Sequence, residues 1–341
     1  MPCREAEFYE RVAADQAQCR LCPHECLVGP GQAGRCGVRR NDAGVLVASA
    51  YGVITSLAVD PIEKKPLYHF LPGAPILSAG SFGCNLSCRF CQNAEISQGA
   101  RGGRAVRAEG LVELALEEPG NAGIAYTYNE PLINYEFVRD CATLARQRGL
   151  ANVLVSNGYI RPEPFEQLAP LIDAMNLDIK SMADDFYARL CGARVAPVLE
   201  TARRARAHMH LEITNLVIPG ENDGDGDLRG LAQWVSDELG RDTPVHFTRY
   251  HPAYRMTTPA TPDATLLRAR ELAAPYLDFV YLGNTMLPGT SDTRCPNCRE
   301  LVVTRSGFRA RPVGLDAAAH CRGCGAGLPF ILGPGDGGAA R

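Results

Sequence analysis

Cysteine placement constrains this chain more than any other feature. Of its fourteen cysteines, eleven fall into three tight clusters. The first is Cys19, Cys22, Cys26 and Cys36, the second Cys84, Cys88 and Cys91, the third Cys295, Cys298, Cys321 and Cys324. The opening residues 1–10 lack the apolar core of a secretion signal, so a reducing, cytoplasmic location is expected. There, clustered thiols read as metal ligands rather than disulfides. Cys3, Cys141 and Cys191 are left as structural or incidental thiols. No stretch of eighteen apolar residues is present, so no membrane helix is expected. A formal charge of −3 over 341 residues argues against a general nucleic-acid binder.

Residues 1–70 form a Cys- and Gly-rich module and lead-in with little periodicity. From residue 71 to 288 apolar runs alternate with amphipathic ones. Strands are predicted at 75–82, 122–127, 152–156, 174–179, 210–218, 245–249 and 278–281. Helices are predicted at 109–118, 133–148, 164–171, 184–190, 197–208, 226–239 and 261–274. This alternation implies an α/β fold with a parallel sheet. Right-handed crossovers place the strand C-termini on one rim, where α/β barrels hold their chemistry. Cys84, Asn129, Glu130, Asn157, Lys180 and His251 all follow strand ends and should therefore converge. A short Cys-rich module occupies 289–332, and 333–341 reads as a disordered tail.

The middle cluster, Cys84-Asn85-Leu86-Ser87-Cys88-Arg89-Phe90-Cys91, offers three thiolates on a short loop. Structural zinc wants four ligands. Three thiolates instead suit a [4Fe–4S] cluster with one iron open to substrate.

This C-x3-C-x2-C loop after a first strand, with aromatic Phe90 before its last cysteine, resembles the radical S-adenosylmethionine (SAM) superfamily. The resemblance runs over residues 75–285 and implies a partial (β/α)6 TIM-like barrel, a [4Fe–4S] cluster and SAM as cofactors. It also implies reductive cleavage of SAM to a 5′-deoxyadenosyl radical, an oxidoreductase chemistry. Tyr128-Asn129-Glu130-Pro131 stands where the family has a Gly-Gly-Glu-Pro-like segment, with Glu130 facing the SAM ammonium. Val155-Ser156-Asn157-Gly158 resembles the Thr-Asn-Gly turn of glycyl-radical-enzyme (pyruvate formate-lyase) activating enzymes. Asp178 and Lys180 resemble their Asp-x-Lys pair, and His251 a histidine beside the adenosine. Phe90, Asn129, Glu130, Ser156, Asn157, Asp178, Lys180 and His251 are therefore the expected cofactor contacts. Two further stretches, residues 19–39 and 60–73, are similar to AmmeMemoRadiSam-system radical SAM enzymes. That similarity implies AMMECR1-domain and Memo-like proteins as partners.

The knuckles Cys295-x2-Cys298 and Cys321-x2-Cys324 read as a zinc-ribbon-like module, with rubredoxin-like iron as the alternative. The N-terminal four are read as holding zinc or a further iron–sulfur cluster, with His24 able to replace one cysteine. Lysine occurs only at positions 64, 65 and 180. Lys64 and Lys65 read as a solvated pair, with Glu63 and His69 given no special role. The expected function is thus radical SAM chemistry on an unidentified substrate, fed by a low-potential electron donor. A glycyl-radical-enzyme activase and a non-catalytic electron-transfer or scaffold metalloprotein are the alternatives.

Overall fold

A computed structural model describes residues 4–99 and 102–333. Its centre is an eight-stranded sheet whose spatial order follows the chain. The strands are β1 (Ser56–Pro61), β2 (Pro75–Gly80), β3 (Gly123–Tyr126), β4 (Ala151–Ser156), β5 (Ala174–Asp178), β6 (His210–Val217), β7 (Val245–Arg249) and β8 (Val280–Gly283). Strands β2 to β8 pair in parallel, as the alternation predicts. Strand β1 pairs antiparallel with β2, from Ser56 opposite Gly80 to Pro61 opposite Pro75. It is absent from the sequence reading because Leu57 and Val59 point outward and Asp60 inward, which inverts the usual alternation.

The crossover helices form where apolar residues recur at helical spacing. In Tyr135–Gln147 the buried positions include Phe137, Val138, Cys141, Ala142 and Ala145. In Asp225–Glu238 they are Leu228, Leu231, Ala232 and Val235. Each stripe faces the sheet and leaves the charged face in water. Residues 187–191 close as a π turn where a plain α-helix was predicted, ending on left-handed Gly192. A Cβ at Gly192 would stand 2.4 Å from Arg35 Nη2 and 2.6 Å from Ser87 Oγ. The left-handed φ of +69° favours glycine there, where residues 190–192 dock against the middle cysteine loop.

Residues before β1 make two three-stranded antiparallel sheets. Their strands are two to four residues long, too short for alternation to register in sequence. This module is fastened by a buried ion pair. Arg39 Nη2 lies 2.7 Å from Glu136 Oε1, and neither side chain exceeds 1% exposure. Glu136 Oε1 also accepts from the Glu7 N–H, and Arg39 donates to the Glu7 carbonyl.

After β8 a three-stranded antiparallel sheet forms from Thr293–Arg294, Leu301–Ser306 and Arg309–Pro312. It packs on the segment between β1 and β2. Arg305 donates to the Tyr68 carbonyl at 2.5 Å and lies over the Tyr68 ring. Phe330 stacks on His69 with centroids 4.0 Å apart, and Ile331 exchanges backbone bonds with His69 and Leu71. Cys3 and the expected tail, apart from Gly333, lie outside the described residues.

Candidate functional site

The strand C-termini open onto a cavity of about 610 Å³. Its wall gathers Cys84, Cys88, Cys91, Phe90, Asn129, Glu130, Ser156, Asn157, Asp178 and Lys180. Residues up to 96 positions apart in the chain meet here because parallel strands deliver their C-terminal ends to one rim. His251 stands at the exposed rim, its Nδ1 3.4 Å from Gln92 Nε2.

The cysteine loop is held by its neighbours' polar side chains. Asn129 accepts from the Ser81 N–H and donates to the carbonyls of Phe82 and Gly83. Its amide is committed to bracing the loop. Gly83 has φ +85°, and a Cβ there would meet the Cys36 carbonyl at 2.6 Å, so only glycine lets the loop lie against the N-terminal module. Asn157 Nδ2 donates to Asn85 Oδ1 at 3.0 Å and reaches Cys84 Sγ at 3.6 Å. The Leu86 N–H points at the same sulfur at 3.3 Å, and Ser97 Oγ lies 3.2 Å from Cys91 Sγ. Hydrogen bonds to thiolate sulfur are one of the levers that set a cluster's potential.

Glu130 is 3% exposed. Its Oε1 accepts from Leu132 N and Ser156 Oγ, its Oε2 from Asn157 N at 2.8 Å. Burial pushes its carboxyl up to about 7, against the pull of these three donors. On the same wall Lys180 Nζ lies 2.9 Å from Asp178 Oδ2, Lys180 standing two residues beyond the end of β5. Burial opposes the Lys180 charge, yet Asp178 and the thiols of Cys88 and Cys191 hold its pKa well above the ordinary lysine value.

Cys191 is a residue the sequence reading left aside. It is fully buried, and the Ser87 N–H donates to its carbonyl at 2.8 Å. Its thiol meets that of Cys88, whose pKa is lowered chiefly by this contact. No spacing signal marks Cys191, because it arrives from a different crossover.

The other half of the cavity is lined by Glu63, Lys64, Lys65, Tyr68, Tyr128, Thr214 and His246. Here the solvated reading of Lys65 is corrected. Lys65 is 2% exposed, its Nζ 2.6 Å from Asp60 Oδ2, while Lys64 Nζ sits 2.8 Å from Asp60 Oδ1 with its side chain half in water. Tyr128 donates to the same carboxylate at 2.5 Å. The three donors hold Asp60 well below the carboxylate range despite its burial. Glu63 and His69 are likewise interior, at 1% and 0% exposure. Charged residues this close in sequence look solvated until the partner, Tyr128 from the β3 rim, is known. Behind Tyr68 and His246 of this lining, buried Glu212 accepts from Tyr68 N and His69 N through Oε1, and its Oε2 lies 2.6 Å from His246 Nε2.

The terminal knuckles close. Cys295 Sγ and Cys324 Sγ are 3.7 Å apart, Cys298 Sγ and Cys321 Sγ 3.6 Å. Metal–sulfur bonds of about 2.3 Å in a tetrahedron place sulfurs about 3.8 Å apart, so this quartet fits a single tetrahedral ion. Among the described residues it alone brings three or more Cys, His, Asp or Glu ligand atoms within 4.8 Å of one another. The sulfurs of the middle triad do not all gather within that distance, and three thiols on one loop suit a multi-iron cluster. No helix among the described residues is long and apolar enough to cross a membrane.

The Radical SAM superfamily profile matches residues 80–232, the stretch from the end of β2 into the helix after β6. A chain from Methanocaldococcus jannaschii, "Uncharacterized protein MJ0808", is 44% identical over 336 residues, covering 96% of this chain and all of that one. The pyruvate formate-lyase 1-activating enzyme of Escherichia coli K12 is 27% identical over 177 residues, covering 50% of this chain and 71% of that enzyme. This chain belongs to the radical SAM superfamily. A radical SAM methyltransferase of known structure from Sphaerobacter thermophilus is 16% identical, covers 62% of this chain and 67% of its own, and superposes with a TM-score of 0.49. Radical SAM membership implies a [4Fe–4S] cluster and SAM. The residues present fit both, with three thiols at one end of a cavity and a buried carboxylate and a partly buried ammonium beside them.

Proposed function

We propose that the protein is a radical SAM oxidoreductase whose Cys84, Cys88 and Cys91 hold the cluster. The observation that carries this reading is the meeting of those three thiols with Glu130 and the Asp178–Lys180 pair on one cavity wall. When bound, the cluster and SAM together supply a 5′-deoxyadenosyl radical that takes hydrogen from a substrate. The chain's residues do the positioning. Glu130 accepts from the SAM amino group, and its three protein donors fix the carboxylate for that contact. Lys180, kept charged by Asp178, faces the SAM carboxylate. Ser156 and Asn157 close the same wall. Phe90 and His251 flank the adenosine side. The floor half, from Lys64 to His246, receives the substrate away from water.

In this reading the sheet and its helices form a partial (β/α)6-type barrel, with β1 as an added antiparallel edge. The 289–332 module holds zinc, in keeping with its sulfur spacing. The enzyme works in the cytoplasm with a low-potential electron donor and with AMMECR1-domain and Memo-like partners. The likeness to a pyruvate formate-lyase activating enzyme favours a second reading, in which the hydrogen comes from a glycine of a large protein.

The test is anaerobic. Iron and sulfide are reconstituted, dithionite and SAM are added, and 5′-deoxyadenosine is measured by mass spectrometry with Cys88→Ala alongside. Product from the wild type alone is expected. Product from Cys88→Ala, or none from a wild type whose cluster is spectroscopically reduced, would overturn the assignment.

A further inference from the structure

We propose that Cys19, Cys22, Cys26 and Cys36 hold a second iron–sulfur cluster, through which electrons enter the SAM site. The metal assignment stands on its own; the relay rests on the radical SAM reading above.

Sulfur spacing separates the two metals left open by the sequence. The terminal quartet closes to the tetrahedron of a single ion. The N-terminal quartet does not, since no three of its ligand atoms come within 4.8 Å of one another. Its four thiols nevertheless surround one place. The Cys19 N–H donates to the Cys26 carbonyl at 2.9 Å, the Glu25 N–H to the Cys22 carbonyl at 3.1 Å, and the Arg35 N–H, next to Cys36, points at Cys26 Sγ at 3.4 Å. Four thiols brought together by these contacts, yet less compact than the terminal quartet, match the demand of several irons bridged by sulfide.

The placement gives the cluster its role. The Cys36 carbonyl lies against Gly83, the residue before Cys84. On the other side His24 Nε2 is 2.7 Å from the Asn85 carbonyl, and Asn85 Nδ2 donates to the Tyr159 carbonyl at 2.6 Å. The Arg161 N–H donates to the Leu21 carbonyl, so the same turn grips both loops. Two short routes therefore join the clusters: Cys36 to Cys84 through Gly83, and Cys22 to Cys84 through His24 and Asn85. Cys26 and Cys36 are only partly buried, and Leu27 beside Cys26 is 53% exposed, which leaves one edge accessible to a protein donor. A flavodoxin- or ferredoxin-type donor gives up one electron there. The N-terminal cluster is reduced by that electron and reoxidised as it passes to the Cys84–Cys88–Cys91 cluster, with no net change of its own. Small reductants such as dithionite can also reach the middle cluster directly through the open cavity.

The experiment uses the full chain, purified anaerobically. In a Cys84→Ala/Cys88→Ala/Cys91→Ala variant, iron, acid-labile sulfide and zinc are counted. About four irons and four sulfides per chain are expected to remain. A variant holding no labile sulfide and two mononuclear ions per chain would overturn the cluster. For the relay, Cys22→Ala and Cys36→Ala are compared with wild type for SAM cleavage driven by photoreduced flavodoxin and by dithionite. The flavodoxin-to-dithionite rate ratio is expected to fall by about tenfold or more. An unchanged ratio would overturn the relay. A measurement free of folding effects uses the wild type with substoichiometric flavodoxin hydroquinone. The electron paramagnetic resonance signal of the N-terminal cluster, identified from the triple variant, is expected to appear, and its absence while the middle cluster is reduced would count against the relay. Failure of SAM cleavage with both donors, with the sulfide count intact, would instead strike at the enzymatic reading alone.

Discussion

Glu130 converts burial into a pH dependence for cofactor binding. Its carboxyl is raised to about 7, so in the empty cavity about one-tenth is ionised at pH 6 and about nine-tenths at pH 8. A SAM amino group that donates to it requires the ionised form, and bound SAM, being cationic, favours that form further. Protonation must then be reversed before binding, so affinity rises with pH through the free-state pKa. The expected gain from pH 6 to pH 8 is about tenfold, or ~1.4 kcal/mol. The perturbation is Glu130→Gln. Its Oε1 can keep Leu132 and Ser156, but its amide nitrogen would face the Asn157 N–H, so circular dichroism and iron content are checked first. Equilibrium dialysis of labelled SAM on the oxidised, cluster-loaded enzyme measures affinity without turnover. Because the SAM amino group itself titrates, the decisive quantity is the wild-type to Glu130→Gln affinity ratio at each pH. A ratio rising about tenfold between pH 6 and pH 8 is expected. A flat ratio would refute the assignment of Glu130 as the acceptor.

Three further outcomes are expected. Arg39→Leu leaves Glu136 buried and unpaired and should destabilise the chain by about 3–5 kcal/mol in chemical denaturation, whereas a loss under about 1 kcal/mol would mean the pair is not desolvated. Glu63, raised to about 7 chiefly by burial, favours the folded state fully below pH 4.5 and loses that contribution as pH rises through 7. Glu63→Gln should therefore raise stability more at pH 8 than at pH 5, by on the order of 3 kcal/mol, as read from denaturation midpoints at the two values. Cys298→Ala should release one metal ion per chain by elemental analysis, and unchanged metal content would remove Cys298 from the terminal site.

Much of the sheet was readable because seven parallel strands are buried on both faces and separated by helices of ordinary length. Strand β1 escaped because its alternation is inverted. The gathering of Cys84, Glu130, Asn157 and Lys180 on one cavity wall was readable because these residues follow strand ends, and the parallel topology then brings them together. The floor was not. Asp60, Lys65 and Tyr128 look like surface groups in sequence, and only the register of β1 beside β2, with the β3 rim above it, turns them into a buried triad. Cys191 was missed for a related reason. Its relation to Cys88 depends on a π turn, and nothing in the surrounding residues announces one. The sequence also left the N-terminal metal open, because thiolates at such spacings serve zinc and iron alike.

The stacking of Phe330 on His69 and the bonds of Ile331 to His69 and Leu71 have a bearing on biosynthesis. The segment between β1 and β2, from which Lys64, Lys65 and Tyr68 reach the cavity, is covered by residues made roughly 260 positions later. At ~5–20 residues per second that is an interval of roughly tens of seconds. During it the cysteine loops already exist while that segment is still uncovered. A partner that must reach the segment therefore has a window that shuts when the last module docks.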